Sequence, residues 1–398
     1  MSEGIRKLHR RAAWLLVCGF VFSIPWEKSV LLPGLGTLSR LLGALAFVAV
    51  AGEALSRGSL RRPNLPLALA AGFAGWTALT WLWSIAPGET LAKLLTFAQL
   101  FAMLWMIWEI CRTPGRQAAL MRAYIAGATI ASVLTLLRYV RGLETYYRRY
   151  AAPGFDPNDL GLTVALSVPL ALYLGLRDRG SLRWLYRIAI LLATAAILLS
   201  ASRTAFVLTA CAYVLVPWTW RQADVAGKIS GVVLFGTLLA GALYLAPSAS
   251  RQRLATLPAE VSAGTLHNRT QIWKAGLNVA RSHPFLGVGS GTYARAVEPQ
   301  LGVPAIPGHS YVAHNSYLSV LVESGLIGLG LLALLLAALT AYVWIMPPVE
   351  RAVWSVVLGM WMVGIAVLTW EHRKPGWLFF GLILTEWARS FHRPGERR

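Results

Sequence analysis

Residues 314–344 read HNSYLSVLVESGLIGLGLLALLLAALTAYVW. A polar His–Asn pair stands directly before a long apolar run. A run of about 20 apolar residues is enough to cross a hydrocarbon core of roughly 30 Å. Peptide groups in lipid have no water to bond, so the spanning form is a helix. The glycines at 325, 328 and 330 are of the kind that lets membrane helices pack closely.

Comparable runs recur along the whole chain. Of 398 residues, 56% are hydrophobic and only 14% charged, too few charges to clothe a soluble protein of this size. The 17 Trp suit a bilayer interface. Hydropathy predicts an all-α, polytopic membrane protein of about twelve spans. They fall near 12–32, 38–56, 66–84, 88–110, 117–137, 158–176, 183–200, 203–219, 228–246, 315–345, 350–370 and 376–390. The chain divides into helices 1–9 over 1–246, a large loop with short helices over 247–313, and helices 10–12 over 314–398. The basic start, Met1 to Arg11, resembles a signal peptide but is read as part of a retained first span, because no small-residue cleavage site follows. Cys18, Cys111 and Cys211 form neither a disulfide framework nor a C-x-x-C pair.

Arginine and lysine in short loops set the orientation. Arg57, Arg61 and Arg62, then Arg112 and Arg116, then Arg177, Arg179 and Arg183 lie on the side of the N-terminus. That side is therefore cytoplasmic, and both termini share it. The outer side departs from the rule. It carries Arg138, Arg141, Arg148 and Arg149 in one loop, Arg203 in a tight turn, and Arg269 with others in the long loop. Lipid headgroups account for these arginines, and so does an anionic ligand, since a guanidinium grips phosphate with two parallel hydrogen bonds.

The outer segments carry the polar chemistry. RYVRGLETYYRRYAAPGFDPNDLG (138–161) sets Tyr146, Tyr147 and Tyr150 among arginines. Tyrosine rings there serve either an interfacial belt or a sugar face. Asp156 before Pro157 is a plausible helix cap, with a metal role for Asp156 and Asp159 as the alternative. In HNRTQIWKAGLNVARSHPF (267–285), Asn268 is a possible cap, and Arg269 and Trp273 share a helix face at i, i+4. PFLGVGSGTYAR (284–295) turns on Gly287, Gly289 and Gly291, either as a surface turn or as a weak phosphate cradle matching no P-loop. Asn315 caps the following helix or orients His314. His314 is an interfacial histidine or a general base for a hydroxyl.

These motifs together resemble the O-antigen ligase and polymerase superfamily. HNSYLSVLVESGLIGLG is similar to its His-Asn-x-x-Leu…Glu-x-Gly-hydrophobic-hydrophobic-Gly signature. RTQIWKAGLNVARSHPFLGVGSGTY resembles its Arg-x-x-x-Trp…Gly-x-Gly stretch, GFDPNDLGLTVALSVPL its Asp-Pro-Asn region, and SASRTAF its Ser-Arg turn. The likeness covers roughly residues 145–330.

The resemblance implies a metal-independent and cofactor-free glycosyltransferase in a bacterial inner membrane, its site facing the periplasm. The donor would be O-antigen on undecaprenyl diphosphate and the acceptor a sugar of lipid A–core. Membrane lipids complete the expected partners, with no nucleic acid among them. On this reading Arg203 and Arg269 hold the leaving diphosphate and His314 takes the acceptor proton. Arg148, Arg149, Tyr147, Asn315 and Trp273 bind substrate. His267, His283 and His309 are alternative bases. Two members of the same superfamily are rivals, an O-antigen polymerase and a protein O-oligosaccharyltransferase. A transporter or flippase is the rival of another class, for which twelve spans are common.

Overall fold

The computed structural model describes residues 3–145, 148–218, 236, 240, 244, 269–301 and 311–390. It is a bundle of membrane-length helices. Among the described residues, eight helical stretches are long and apolar enough to cross a bilayer: Leu38–Arg57, Leu65–Trp83, Pro87–Ile110, Pro114–Val140, Pro157–Arg177, Ser181–Ser200, Ser316–Trp344 and Pro348–Val367. The eighth and twelfth expected spans are also helical, and the first is helical as far as Ser23. The ninth, 228–246, lies outside the described residues apart from isolated positions.

The helices in chain order are α1 (Glu3–Ser23), α2 (Leu38–Arg57), α3 (Leu65–Leu79), α4 (Pro87–Ile110) and α5 (Pro114–Val140). Next come α6 (Pro157–Ala165), α7 (Ser167–Arg177), α8 (Ser181–Ser200) and α9 (Arg203–Trp218). After the long loop follow α10 (Arg269–Ser282), α11 (Tyr293–Val297), α12 (Ser316–Trp344), α13 (Pro348–Val367) and α14 (Lys374–Ser390). The starts follow simple local rules. Thr37, Asn64, Thr113, Asp156 and Asn315 each accept a backbone N–H of the first turn of the helix they precede. Proline stands in the first turn of α3, α4, α5, α6 and α13, where a missing N–H costs nothing.

The first expected span, 12–32, is corrected. α1 starts at Glu3 and stops at Ser23, although the apolar run continues. Pro25 lacks the N–H to extend it, and a 3₁₀ turn over Ile24–Ser29 with non-helical Trp26 follows. A short antiparallel pair then forms, β1 (Leu31–Leu32) against β2 (Gly36–Thr37). The end of α1 and the turn press on Gly127 of α5, where a Cβ would lie 2.1 Å from the Phe22 carbonyl oxygen and 2.9 Å from Pro25 Cδ.

The tenth span is also not the continuous helix expected. At Gly325 the backbone leaves helical geometry, with φ 65° and ψ −170°. The peptide groups freed there are taken up by the segment after α10. Leu326 N–H donates to the Pro284 carbonyl (2.8 Å), while Val288 and Gly289 donate to the carbonyls of Val322 (3.0 Å) and Glu323 (2.9 Å). Trp76 of α3 donates its indole N–H to the Ser324 carbonyl (2.9 Å). Non-helical backbone at membrane depth is stable where protein satisfies its polar groups, as here. Of the three glycines expected to let helices approach, Gly328 meets Trp76, while Gly330 has open space beside it.

The main core runs through the bundle and includes Trp354, Trp361, Trp370 and Trp377, each at most 2% exposed. A second, smaller core under α10 and α11 joins Val279, Tyr293 and Val297 to Ala313, Leu318 and Val322. It fixes the loop helices onto the start of α12, and with them the segment carrying His314.

Candidate functional site

The turns 24–37, 141–156, 201–202 and 368–373 all lie at the same end of the bundle as the start of α12. Three non-glycine residues have positive φ among the described residues: Arg148 (55°), Ala201 (47°) and His314 (47°). All three are in or beside the segments that carry the expected site. Such conformations cost about 1–3 kcal/mol each and persist only where their surroundings enforce them.

Asp159 sits at the centre of this end. Its carboxylate accepts from Lys28 Nζ (3.0 Å), Arg373 Nη2 (2.8 Å) and Trp370 Nε1 (3.2 Å). Asp156, by contrast, caps α6 through the N–H groups of Asn158 (2.7 Å) and Asp159 (3.2 Å). One carboxylate of this pair thus serves as a helix cap and the other faces cations. Next to them, Arg149 is 2% exposed and donates to the Ser200 carbonyl (2.7 Å) and to Asn158 Oδ1 (2.8 Å). This guanidinium locks the 141–156 loop onto the turn before α9, which Arg203 opens. Gly161 completes the fit, since a Cβ there would meet Ser202 and Ala205 at 2.9 Å.

His314 is half-buried. Burial and then the nearby Arg269 charge push its imidazole down to about 4, against an opposing pull from Asp159. The ring is thus neutral near pH 7 and has a lone pair to accept a proton. Arg269 opens α10 and donates to the Val367 carbonyl (3.2 Å), bridging the loop helix to the end of α13. Four residues on, Trp273 donates to the Ala313 carbonyl (2.7 Å), immediately before His314. The expected shared face of Arg269 and Trp273 is observed, but the contact found for the Trp273 indole is a strut holding the His314 segment. Asn315 Oδ1 accepts the Leu318 N–H (3.0 Å), which is the capping alternative.

Other expectations fare differently. Arg148 is exposed, next to buried Arg149. Tyr147, Tyr146, Asn268, His267 and His309 lie outside the described residues. His283 is exposed at the end of α10. Tyr150 packs edge-on against Tyr139, with ring centroids 5.1 Å apart. The glycine turn is not a phosphate cradle. The N–H groups of Val288, Gly289, Ser290 and Gly291 already donate to Val322, Glu323, Thr80 and the Glu323 carboxylate.

The sequence reading missed the segment LTWEHRK (368–374) altogether. It supplies Arg373 to Asp159 and a second ionic group around Lys93 of α4. Lys93 Nζ donates to Glu371 Oε1 (2.8 Å) and lies 3.1 Å from His372 Nδ1, itself 3.0 Å from Glu371. Burial raises the Glu371 carboxyl, but Lys93 and His372 outweigh it and hold it well below the usual carboxylate range. Burial and the Lys93 charge bring His372 down to about 4. The Ser316 hydroxyl fastens this segment to α12: it donates to the Leu368 carbonyl (2.9 Å) and accepts from Trp370 N (2.7 Å) and Glu371 N (3.3 Å). A run of four ionisable residues between two apolar spans was the available signal.

The arrangement offers a neutral imidazole that feels one guanidinium, Arg269, and one carboxylate, Asp159, at one end of a membrane bundle. Among comparisons with known proteins, a family model described as O-antigen ligase matches residues 188–333. No curated protein matches the chain.

Proposed function

From the match of an O-antigen ligase family model to residues 188–333, we propose that this multi-pass membrane protein belongs to that family and transfers O-antigen from undecaprenyl diphosphate to a sugar hydroxyl of lipid A–core. The reaction takes place at the outer, periplasmic end of the bundle, with both termini in the cytoplasm. The observation that carries the reading is the pairing of His314 with Arg269 next to the Asp159 cluster.

The acceptor oxygen attacks the anomeric carbon of the donor sugar. A new carbon–oxygen bond forms as the bond to the diphosphate breaks, and the electron pair leaves on the diphosphate oxygen. The acceptor proton passes to His314. Direct displacement inverts the anomeric centre. Diphosphate is a weak base and leaves without an acid, so cations are what the leaving group needs. Arg269 and Arg203 are assigned to it, and Arg149 to positioning the Arg203 turn. Charges preorganised in a site with little water contribute several kcal/mol to lowering such a barrier.

His314 gains basicity from the donor itself. Alone, Arg269 disfavours a proton on the imidazole. Once diphosphate neutralises Arg269, that penalty falls and the ring becomes a better base. The base is thereby strengthened when donor is in place.

The test is transfer in vitro with lipid-linked O-antigen and lipid A–core. His314→Ala is expected to lower kcat by about 10²–10⁴ at normal protein level. Transfer at the wild-type rate would remove His314 from the chemistry. Ligase and polymerase separate in the lipopolysaccharide of a deletion strain: bare core indicates a ligase, and core plus one repeat unit a polymerase.

A further inference from the structure

A cavity of about 310 Å³ opens beside the His314 segment, between α4, the glycine turn and α12. Its wall includes Ala313, Lys93, Glu323, Ser319, Thr369 and Glu89. That volume is at the small end of ligand sites, enough for one or two rings. Its polar groups retain bonding capacity. The Glu323 carboxylate, in a residue 5% exposed, accepts from Gly291 N (2.7 Å) and Ser319 Oγ (3.2 Å), two of about four lone-pair positions. Lys93 has three N–H donors, directed in part at Glu371 and His372. The Thr369 hydroxyl is buried and finds no hydrogen-bond partner among the described residues.

The charge of this hollow is unlike that around Asp159. There, Lys28 and Arg373 converge on one carboxylate, with Arg149 close by. Here Glu89 is paired with Arg295 (3.2 Å) and Lys93 with Glu371 (2.8 Å), which leaves Glu323 as the acid of the wall without an ion pair of its own. A diphosphate is repelled from the hollow and drawn to the arginines. A neutral ring rich in hydroxyls fits instead, because carboxylate, ammonium and hydroxyl together accept from and donate to sugar OH groups. Displacement at the anomeric carbon needs the attacking oxygen opposite the leaving group, so the acceptor needs a place apart from the arginines, and this hollow, walled by Ala313, lies beside the His314 segment.

We propose that the hollow bounded by Lys93, Glu323 and Thr369 seats the acceptor sugar as a neutral pyranose, with its attacking hydroxyl directed at His314. This rests on the transferase reading above and adds the acceptor's place to it.

Thr369→Val keeps the side-chain shape and removes the hydroxyl. Ala92→Trp, at an exposed position of α4 on the rim, fills the hollow without touching the Asp159 cluster. Both are assayed in lipid nanodiscs, with lipid A–core and lipid-linked O-antigen each titrated in turn. Thr369→Val is expected to raise the acceptor KM about tenfold, the effect of one lost hydrogen bond, and to leave the donor KM within twofold. Ala92→Trp is expected to abolish saturation by acceptor. An unchanged acceptor KM in Thr369→Val, or a rise in donor KM alone, overturns the proposal. Binding of lipid A–core without donor is measured in parallel. Equal binding by wild type and Ala92→Trp also overturns it, whether or not transfer is seen. The broader transferase reading fails on a different result: no transfer by wild type, or full transfer by His314→Ala.

Discussion

Replacing Gly325 by alanine tests how the loop that braces the site is held. At φ 65° and ψ −170°, the residue occupies a region open in practice only to glycine, and strain there is about 1–3 kcal/mol. A Cβ would also stand 2.1 Å from the Phe285 carbonyl oxygen and 2.2 Å from its carbon. Those atoms are backbone and have no rotamer to escape into. Relief requires withdrawing 284–289, which breaks the Leu326–Pro284 and Ile327–Phe285 hydrogen bonds. Each contributes about 0.5–1.5 kcal/mol. The combined penalty is about 4 kcal/mol. At about 1.4 kcal/mol per tenfold, amide exchange at Val288, Gly289 and Leu326 should accelerate by about three orders of magnitude. Hydrogen–deuterium exchange with mass spectrometry in nanodiscs reads this directly. Gly330→Ala is the control: nothing lies within 4 Å of its Cβ, and alanine is the better helix former by about 1 kcal/mol. Equal exchange at 288–289 in both variants would refute the account of Gly325 as the socket for this loop.

Asp159→Asn removes the charge that joins Lys28 and Arg373; both partners are partly solvated, so a loss of about 1–3 kcal/mol in thermal stability is expected, and none if the cluster is only a surface network. Arg149→Lys retains the charge but cannot reach the Ser200 carbonyl and Asn158 with a planar fork. Its kcat should fall at least tenfold, and full activity would discard Arg149 as the positioning group. For pH, His314 acts in its neutral form with a value of about 4 in the free protein, so kcat/KM should hold as pH falls from 7 to 5 and drop only near 4. Donor binding raises that value, so the acid limb of kcat should lie at higher pH than that of kcat/KM. Coincident limbs would argue against coupling between Arg269 and His314. Asn315→Ala should cost about 1 kcal/mol through the lost cap, read as a lower unfolding temperature.

The sequence by itself determined what depends on neighbours along the chain. Apolar length fixed which segments become helices, because lipid offers peptide groups no other partner. Capping at Asp156 and Asn315, and the shared face of Arg269 and Trp273, follow from offsets of two to four residues. Tertiary structure decided what depends on distant approach. Gly325 resembles any glycine of a membrane helix until the 284–291 turn docks beside it. Lys93 reads as an awkward charge in a span until Glu371, 278 positions later, bonds it. Asp159 stands close in sequence to several outer arginines, yet its two cations come from positions 28 and 373, at opposite ends of the chain. Hydropathy and caps are local free energies that a window of sequence can sum, whereas a buried ion pair exists only when packing closes a long loop and removes the water that would otherwise solvate each charge.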